Sequence, residues 1–271
     1  MTTSVLMSTY CKERPEYLNM SLDSIWTAQI HRPDEIILVE DGPLTADLYS
    51  VINEWKNKLG DRLVLVVNKE NQGLARSLNN GLKHANGDII VRMDSDDIAY
   101  PERIKENIEA FETINGLDVV GSWISEFIET PDNVTSLRKV PETLEEIYRF
   151  GKYRNPMNHP SVSFRKDRIM QAGGYTHFLL FEDYHLWVTL LMKGYRFYNI
   201  QKPLVWFRSS GDMFARRGGF DYAVTEQRFL YFMYKTGYIS FAALVRNTLT
   251  RFAVRLLPNR LRKFAYYRFA R

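Results

Sequence analysis

The sequence holds a single cysteine, Cys11, in 271 residues. One thiol excludes an internal disulfide and any zinc site built from several cysteines, and it sets the expectation of a reducing, cytoplasmic setting. Long apolar runs are also missing: none approaches the roughly 18 uncharged residues that span a bilayer. The apolar stretch Val5–Tyr10 is too short for the core of a signal peptide, so no leader is expected at the start. Glycine is present at 15 positions, yet none forms a G-x-G or a G-x-x-x-x-G-K-[ST] pattern. That absence excludes the P-loop and Rossmann phosphate cradles, so a bound diphosphate would need another neutralising group. Acid is absent from one end. Residues 227–271 carry ten Lys/Arg and no Asp/Glu, so all 32 acidic side chains lie before them with only 26 of the 36 basic ones. An acidic body with a basic tail suggests that the tail meets an anionic surface.

What is present is an ordinary globular composition, 45% hydrophobic and 25% charged, which excludes wholesale disorder. Over the first 130 residues, short apolar runs alternate with helical patterns. Strands are expected at Ser4–Tyr10, Glu35–Glu40, Leu63–Asn68, Ile89–Met93 and Val119–Phe127. Helices are expected at Glu16–Gln29, Leu48–Leu59 and Leu74–Ala85, with another opened by Pro101. Continuously apolar strands alternating with helices predict an α/β fold with a mainly parallel central sheet flanked by helices. After Pro131 the rhythm changes. Helical pieces at Glu142–Phe150 and Asp183–Lys193 mix with short strands at Val162–Phe164 and Arg196–Ile200.

In an open parallel sheet, ligands bind beyond the carboxyl ends of the strands. The first strand ends in Ser8-Thr9-Tyr10, the second in Glu40-Asp41-Gly42, the third leads to Asn71-Gln72-Gly73, and the fourth runs into Asp94-Ser95-Asp96-Asp97. At any one end, such residues read equally well as turn and N-cap chemistry. Four consecutive ends with an acidic cluster on the last point to one crevice that binds a ligand. Asp94 and Asp96 could share a divalent cation, for which carboxylate oxygens select Mg²⁺ or Mn²⁺. A bare D-x-D is weak, since chance supplies about one in a chain of this composition. Its place after a buried strand strengthens it. A second acidic pair, Glu182-Asp183, opens an amphipathic helix, where it either complements the helix dipole or offers a carboxylate as general base.

In this order the elements resemble glycosyltransferase family 2, the inverting family with the nucleotide-diphospho-sugar transferase (GT-A) fold, and among its members the bacterial enzymes of capsule, exopolysaccharide and O-antigen assembly. The resemblance rests on Ser8-Thr9-Tyr10, Glu40-Asp41-Gly42, Asn71-Gln72-Gly73 with Arg76 and Asn79, Asp94-Ser95-Asp96-Asp97 with Pro101-Glu102-Arg103, and Glu182-Asp183, across residues 1–210. It implies that Thr9, Asp41, Asn71, Gly73 and Arg76 line a nucleotide pocket. It further implies that Asp94 approaches the ribose or metal, Asp96 is the main metal ligand and Asp183 is the catalytic base. The implied activity is metal-dependent transfer of a hexose from a nucleotide-diphosphate sugar, expected to be UDP-linked, to a saccharide or lipid-linked saccharide hydroxyl. His159 in a loop before a strand is a weaker candidate, as are Arg208 and Arg216, which with Arg217 suggest a mobile basic loop over the diphosphate.

The expected domain plan is a transferase unit at 1–225, with a nucleotide-sugar half at 1–130 and an acceptor half at 131–225. A basic amphipathic helical tail follows at 226–271. In that tail Leu244, Leu249, Phe252, Leu256 and Leu257 accompany Arg246, Arg251 and Arg255, and Pro258 is expected to divide two helices. Such a tail would lie on anionic lipid at the inner face of the cell membrane, or pack on the domain with its cations solvated. A sugar-phosphate nucleotidyltransferase and a non-catalytic nucleotide-sugar binding module remain as alternatives. Nucleic acid is disfavoured by the acidic body.

Overall fold

The computed structural model describes residues 1–209 and 219–256. Strands β1 (Thr3–Thr9), β2 (Glu35–Asp41), β3 (Leu63–Asn68) and β4 (Ile89–Asp94) alternate with helices α1 (Pro15–Trp26), α2 (Ala46–Leu59) and α3 (Leu74–His84). They pair in parallel in the order β3-β2-β1-β4. Both faces of these strands are covered, which is why they read as unbroken apolar runs. On one face Val5, Met7, Ile36, Leu38, Val91 and Met93 pack under α1 and α2, with Leu18, Leu22, Ile25 and Trp26 buried as the helical spacing predicts. On the other, Leu6, Ile37, Val39 and Ile90 meet Ala75, Leu78 and Leu82 of α3.

The second half extends the same sheet. After the two-residue strand β5 (Ile98–Ala99) and α4 (Arg103–Thr113) come β6 (Val119–Phe127), β7 (Val134–Arg138), α5 (Leu144–Phe150), β8 (Ser163–Arg165), α6 (Lys166–Ala172), α7 (Glu182–Met192) and β9 (Phe197–Arg208). The order continues β4-β8-β6-β9-β5, with β7 beside β6. Pairing is antiparallel at β4/β8, β8/β6, β6/β7 and β9/β5, and parallel at β6/β9. Strand β9 is longer than the expected Arg196–Ile200. It continues past Pro203, where the β6/β9 register shifts opposite Trp123, and ends at Arg208. Two helices, α8 (Phe220–Lys235) and α9 (Phe241–Leu256), close the described chain. The expected break at Pro258 and the candidates Arg216 and Arg217 lie outside the described residues.

Candidate active site

The registers of β1–β4 bring the strand ends level. Ser8 stands opposite Asp94, Thr9 opposite Glu40, and Asp41 opposite Asn68. Asp41 is buried and its carboxylate is occupied locally. It accepts from the Gln72 N–H at 2.8 Å, the Gly73 N–H at 3.0 Å and the Asn68 amide at 3.1 Å. Asp41 therefore shapes the Asn71-Gln72-Gly73 loop, whose Asn71 amide in turn donates to the Asp41 carbonyl at 3.3 Å. Gly42 permits that closeness, because a Cβ there would lie 2.7 Å from the Asn71 nitrogen and φ is +85°. Gly73 opens α3 at φ +81°, and Arg76 on its first turn is exposed. Thr9 is buried with its hydroxyl unpartnered at the end of β1.

The acidic turn beyond β4 is the most charged part of the crevice. Asp94, Asp96 and Asp97 each offer an oxygen within 4.8 Å of the others. Buried Arg92, two residues earlier on the same face of β4, grips both Asp94 oxygens. Asp97 is fully buried; one oxygen accepts the Arg208 N–H at 2.8 Å and the other has no partner. Burial pushes the Asp96 carboxyl up to about 7, helped by the charges of Asp94 and Glu13, and burial beside Asp96 and Asp94 raises Asp97 as well. Glu13, from the turn after β1, accepts the Ser95 hydroxyl at 2.5 Å. Crowded carboxylates, one with an orphaned buried oxygen, are a donor set that suits a hard divalent cation.

Arg208 is not on a mobile loop. It is the last residue of β9, buried, with its guanidinium 3.7 Å from the Tyr17 ring centroid and donating to the Asp96 carbonyl at 2.9 Å. It braces the acidic turn from behind. Arg103, whose helix follows that turn, is also buried, and it donates to the Arg92 and Pro160 carbonyls. Desolvation, with Arg92 nearby, lowers its guanidinium to about 9.

Asp183 lies in the first turn of α7. Its carboxylate accepts the Asn155 amide at 2.6 Å. Burial raises its pKa, while the Tyr184 N–H, Asn155, Arg138 and Arg92 work in the other direction. Glu182 beside it is also raised by burial. His159, in a single 3-10 turn, contacts the Tyr175 hydroxyl at 3.0 Å, and burial next to Arg92 depresses its pKa well below the usual value. Burial raises the Tyr175 hydroxyl, with smaller effects from the charges of Arg92, Asp183 and Asp94. The loop carrying it is fastened to α3 by a reciprocal pair: the Asn79 amide donates to the Tyr175 carbonyl at 2.7 Å and accepts the Tyr175 N–H at 2.8 Å.

The fold thus gathers Thr9, Asp41, Asn71, Gly73, Asp94 and Asp96 along one row of strand ends, while Asp183 sits at the start of α7 and His159 in the turn before β8. Arg92, Asn155, Tyr175 and Glu13 were not singled out from sequence. Arg92 carried a readable signal, since an arginine inside the apolar run Ile89–Met93 requires a partner and Asp94 is the next residue on its face. Asn155 carried none.

The protein-family profile described as glycosyl transferase family 2 matches residues 4–173. The UDP-Gal:alpha-D-GlcNAc-diphosphoundecaprenol beta-1,3-galactosyltransferase of Escherichia coli is 40% identical over 97% of this chain and 94% of its own length. The amylovoran biosynthesis glycosyltransferase AmsE of Erwinia amylovora is 36% identical over 97% of both. Among solved structures, S. aureus TarS 1-349 in complex with UDP-GlcNAc superposes with a TM-score of 0.69 at 18% identity, covering 100% of this chain and 76% of that one. The mannosyltransferase PcManGT from Pyrobaculum calidifontis, in complex with GDP-Man and Mn²⁺, gives 0.64 at 18% identity over 96% and 71%. The expected GT-A fold is the fold found. This chain belongs to glycosyl transferase family 2, and it is a glycosyltransferase.

Proposed function

We propose that the protein is an inverting hexosyltransferase that moves a sugar from a UDP-linked donor to a hydroxyl of a lipid-diphosphate-linked saccharide, in assembly of a bacterial surface polysaccharide. The observation that supports the reading is the acidic cluster Asp94/Asp96/Asp97 at the end of a central strand, with a second buried carboxylate, Asp183, held by Asn155 at the start of α7. The substrate classes follow from the 40% identical relative, named for a UDP-galactose donor and a diphosphoundecaprenol-linked acceptor.

In this reading Thr9, the Asp41-shaped loop with Asn71 and Gly73, and Arg76 receive the nucleoside and its phosphates. Asp183 faces the acceptor. Burial raises its basicity, and Asn155 fixes its orientation. As the acceptor oxygen bonds to the anomeric carbon, the bond from that carbon to the diphosphate breaks and the hydroxyl proton passes to Asp183. One displacement inverts the centre, so no enzyme nucleophile is required. Asp96, with Asp94 and Asp97, would hold a Mn²⁺ or Mg²⁺ ion, which when bound offsets charge on the departing diphosphate. Arg92 holds Asp94 in place for that role. Burial keeps His159 and Tyr175 neutral, so this hydrogen-bonded pair brings no charge of its own. The protein works from the cytoplasmic face of the membrane, bound there through its basic C-terminal part.

The test is transfer of label from a set of UDP-hexoses to a GlcNAc-diphospholipid acceptor, with Mn²⁺ or with EDTA. Transfer from one UDP-hexose, lost on chelation and in Asp96→Ala, is the expected result. Full activity in EDTA would remove the metal from the account. Donor binding without turnover would replace the enzyme reading with a binding module.

A further inference from the structure

Helix α9 is amphipathic, and a reading from composition alone turns its arginines outward. The structure turns two of them, Arg251 and Arg255, inward. Glu226 of α8 is buried, and it accepts from the Arg255 guanidinium at 2.8 and 2.9 Å and from Arg251 at 3.1 Å. Arg251 also donates to the Tyr153 carbonyl, and buried Asn247 donates to the Lys152 carbonyl at 2.9 Å. Asn247, Arg251 and Arg255 thus bind the helix to the domain. One line of exposed residues is apolar: Phe241 is 65% exposed, Val245 42% and Leu249 66%, at successive spacings of four. The stripe widens onto α8, where the Tyr234 ring lies 6.0 Å from Phe241, and Tyr231, 52% exposed, carries Lys235 over its face.

We propose that this face, Phe241, Val245 and Leu249 edged by Tyr231, Tyr234 and Lys235, is where the protein lies in the interface of an anionic bilayer. The proposal rests on the reading above that the acceptor is lipid-linked, and it locates the membrane contact on a surface. Three observations favour lipid over another occupant. Large apolar side chains bordered by tyrosine and lysine make the mixed surface that suits the headgroup boundary, with rings and lysine stem at the depth where one end is apolar and the other wet. Arg228 and Lys235 of α8 and Arg246 of α9 are exposed, and residues 227–256 contain no acid, so this part of the surface complements anionic headgroups. The third observation is position. Through Asn247 and Arg251 the helix bears on Lys152 and Tyr153, and two residues further on Asn155 holds Asp183. A lipid-linked acceptor could then reach the base with its lipid still in the bilayer.

The test uses the full chain with vesicles of phosphatidylcholine alone or mixed with phosphatidylglycerol. Phe241→Gln, Val245→Gln and Leu249→Gln are combined in one variant. All three side chains are exposed, so the thermal midpoint and the transfer rate to a water-soluble acceptor analogue should be unchanged. The expected result is that the native chain partitions onto the anionic vesicles and the triple variant does so roughly a hundredfold less. The proposal is overturned if the variant partitions like the native chain, if the native chain ignores anionic vesicles, or if it is a dimer that the variant converts to a monomer. A failure of sugar transfer with vesicle binding intact would count against the proposed reaction and leave this surface standing.

Discussion

Two neutral or cationic side chains hold the two acidic centres. Arg92 fixes Asp94 within one strand, whereas Asn155 reaches Asp183 across 28 positions of sequence. The Asn155 hydrogen bond favours the ionised form of Asp183 and opposes the rise caused by burial. A base must be ionised to act, so activity falls as pH drops through the Asp183 pKa. Asn155→Ala removes one stabiliser of the charged form, raising that pKa further. The acid limb of the kcat/KM profile should therefore move to higher pH, with a smaller effect on the alkaline side. A profile superposable on the native one would deny Asn155 this role. The acidic turn was legible in sequence because it follows an apolar run at a strand end, and Asp183 because it opens an amphipathic helix. Their supports were not equally so. Arg92 can be read from the side-chain period of a strand, but Asn155 gains its meaning only when a loop and a helix N-terminus meet.

At the scale of elements, strands β1–β4 and helices α1–α3 were readable because each strand is built on an apolar run and each helix has one apolar stripe. The second half resists such reading. Strand β9 contains Lys202-Pro203, which looks like an end, yet the chain absorbs the proline at a register shift and continues to Arg208. That continuation carries Arg208 behind the acidic turn and removes it from the mobile loop expected for it. Helix α9 shows the same limit. Its spacing announced two faces but could not say which one met the domain, because Glu226 lies on another helix. Glu226 is 1% exposed, and its loss would leave two guanidiniums partly buried without their carboxylate. Glu226→Ala should cost about 3 kcal/mol of stability and open residues 241–256 to hydrogen exchange. Native-like protection of α9 would show that its apolar contacts hold it without the ion pairs.

At the scale of the molecule, one sheet joins a parallel half that ends in the polar row to a mixed half that supplies Asn155, His159, Tyr175 and Asp183. Helices α8 and α9 lie behind that second half, with the exposed apolar stripe on the outer side of α9. The division of labour between the acidic turn and Asp183 is the centre of the account. The direct test is single-turnover transfer by Asp183→Asn, with binding of the UDP-sugar measured on the same protein. A loss of about 10²–10⁴ in the rate of transfer, with donor affinity close to native, is predicted for removal of a general base. Native-like turnover by Asp183→Asn would contradict it.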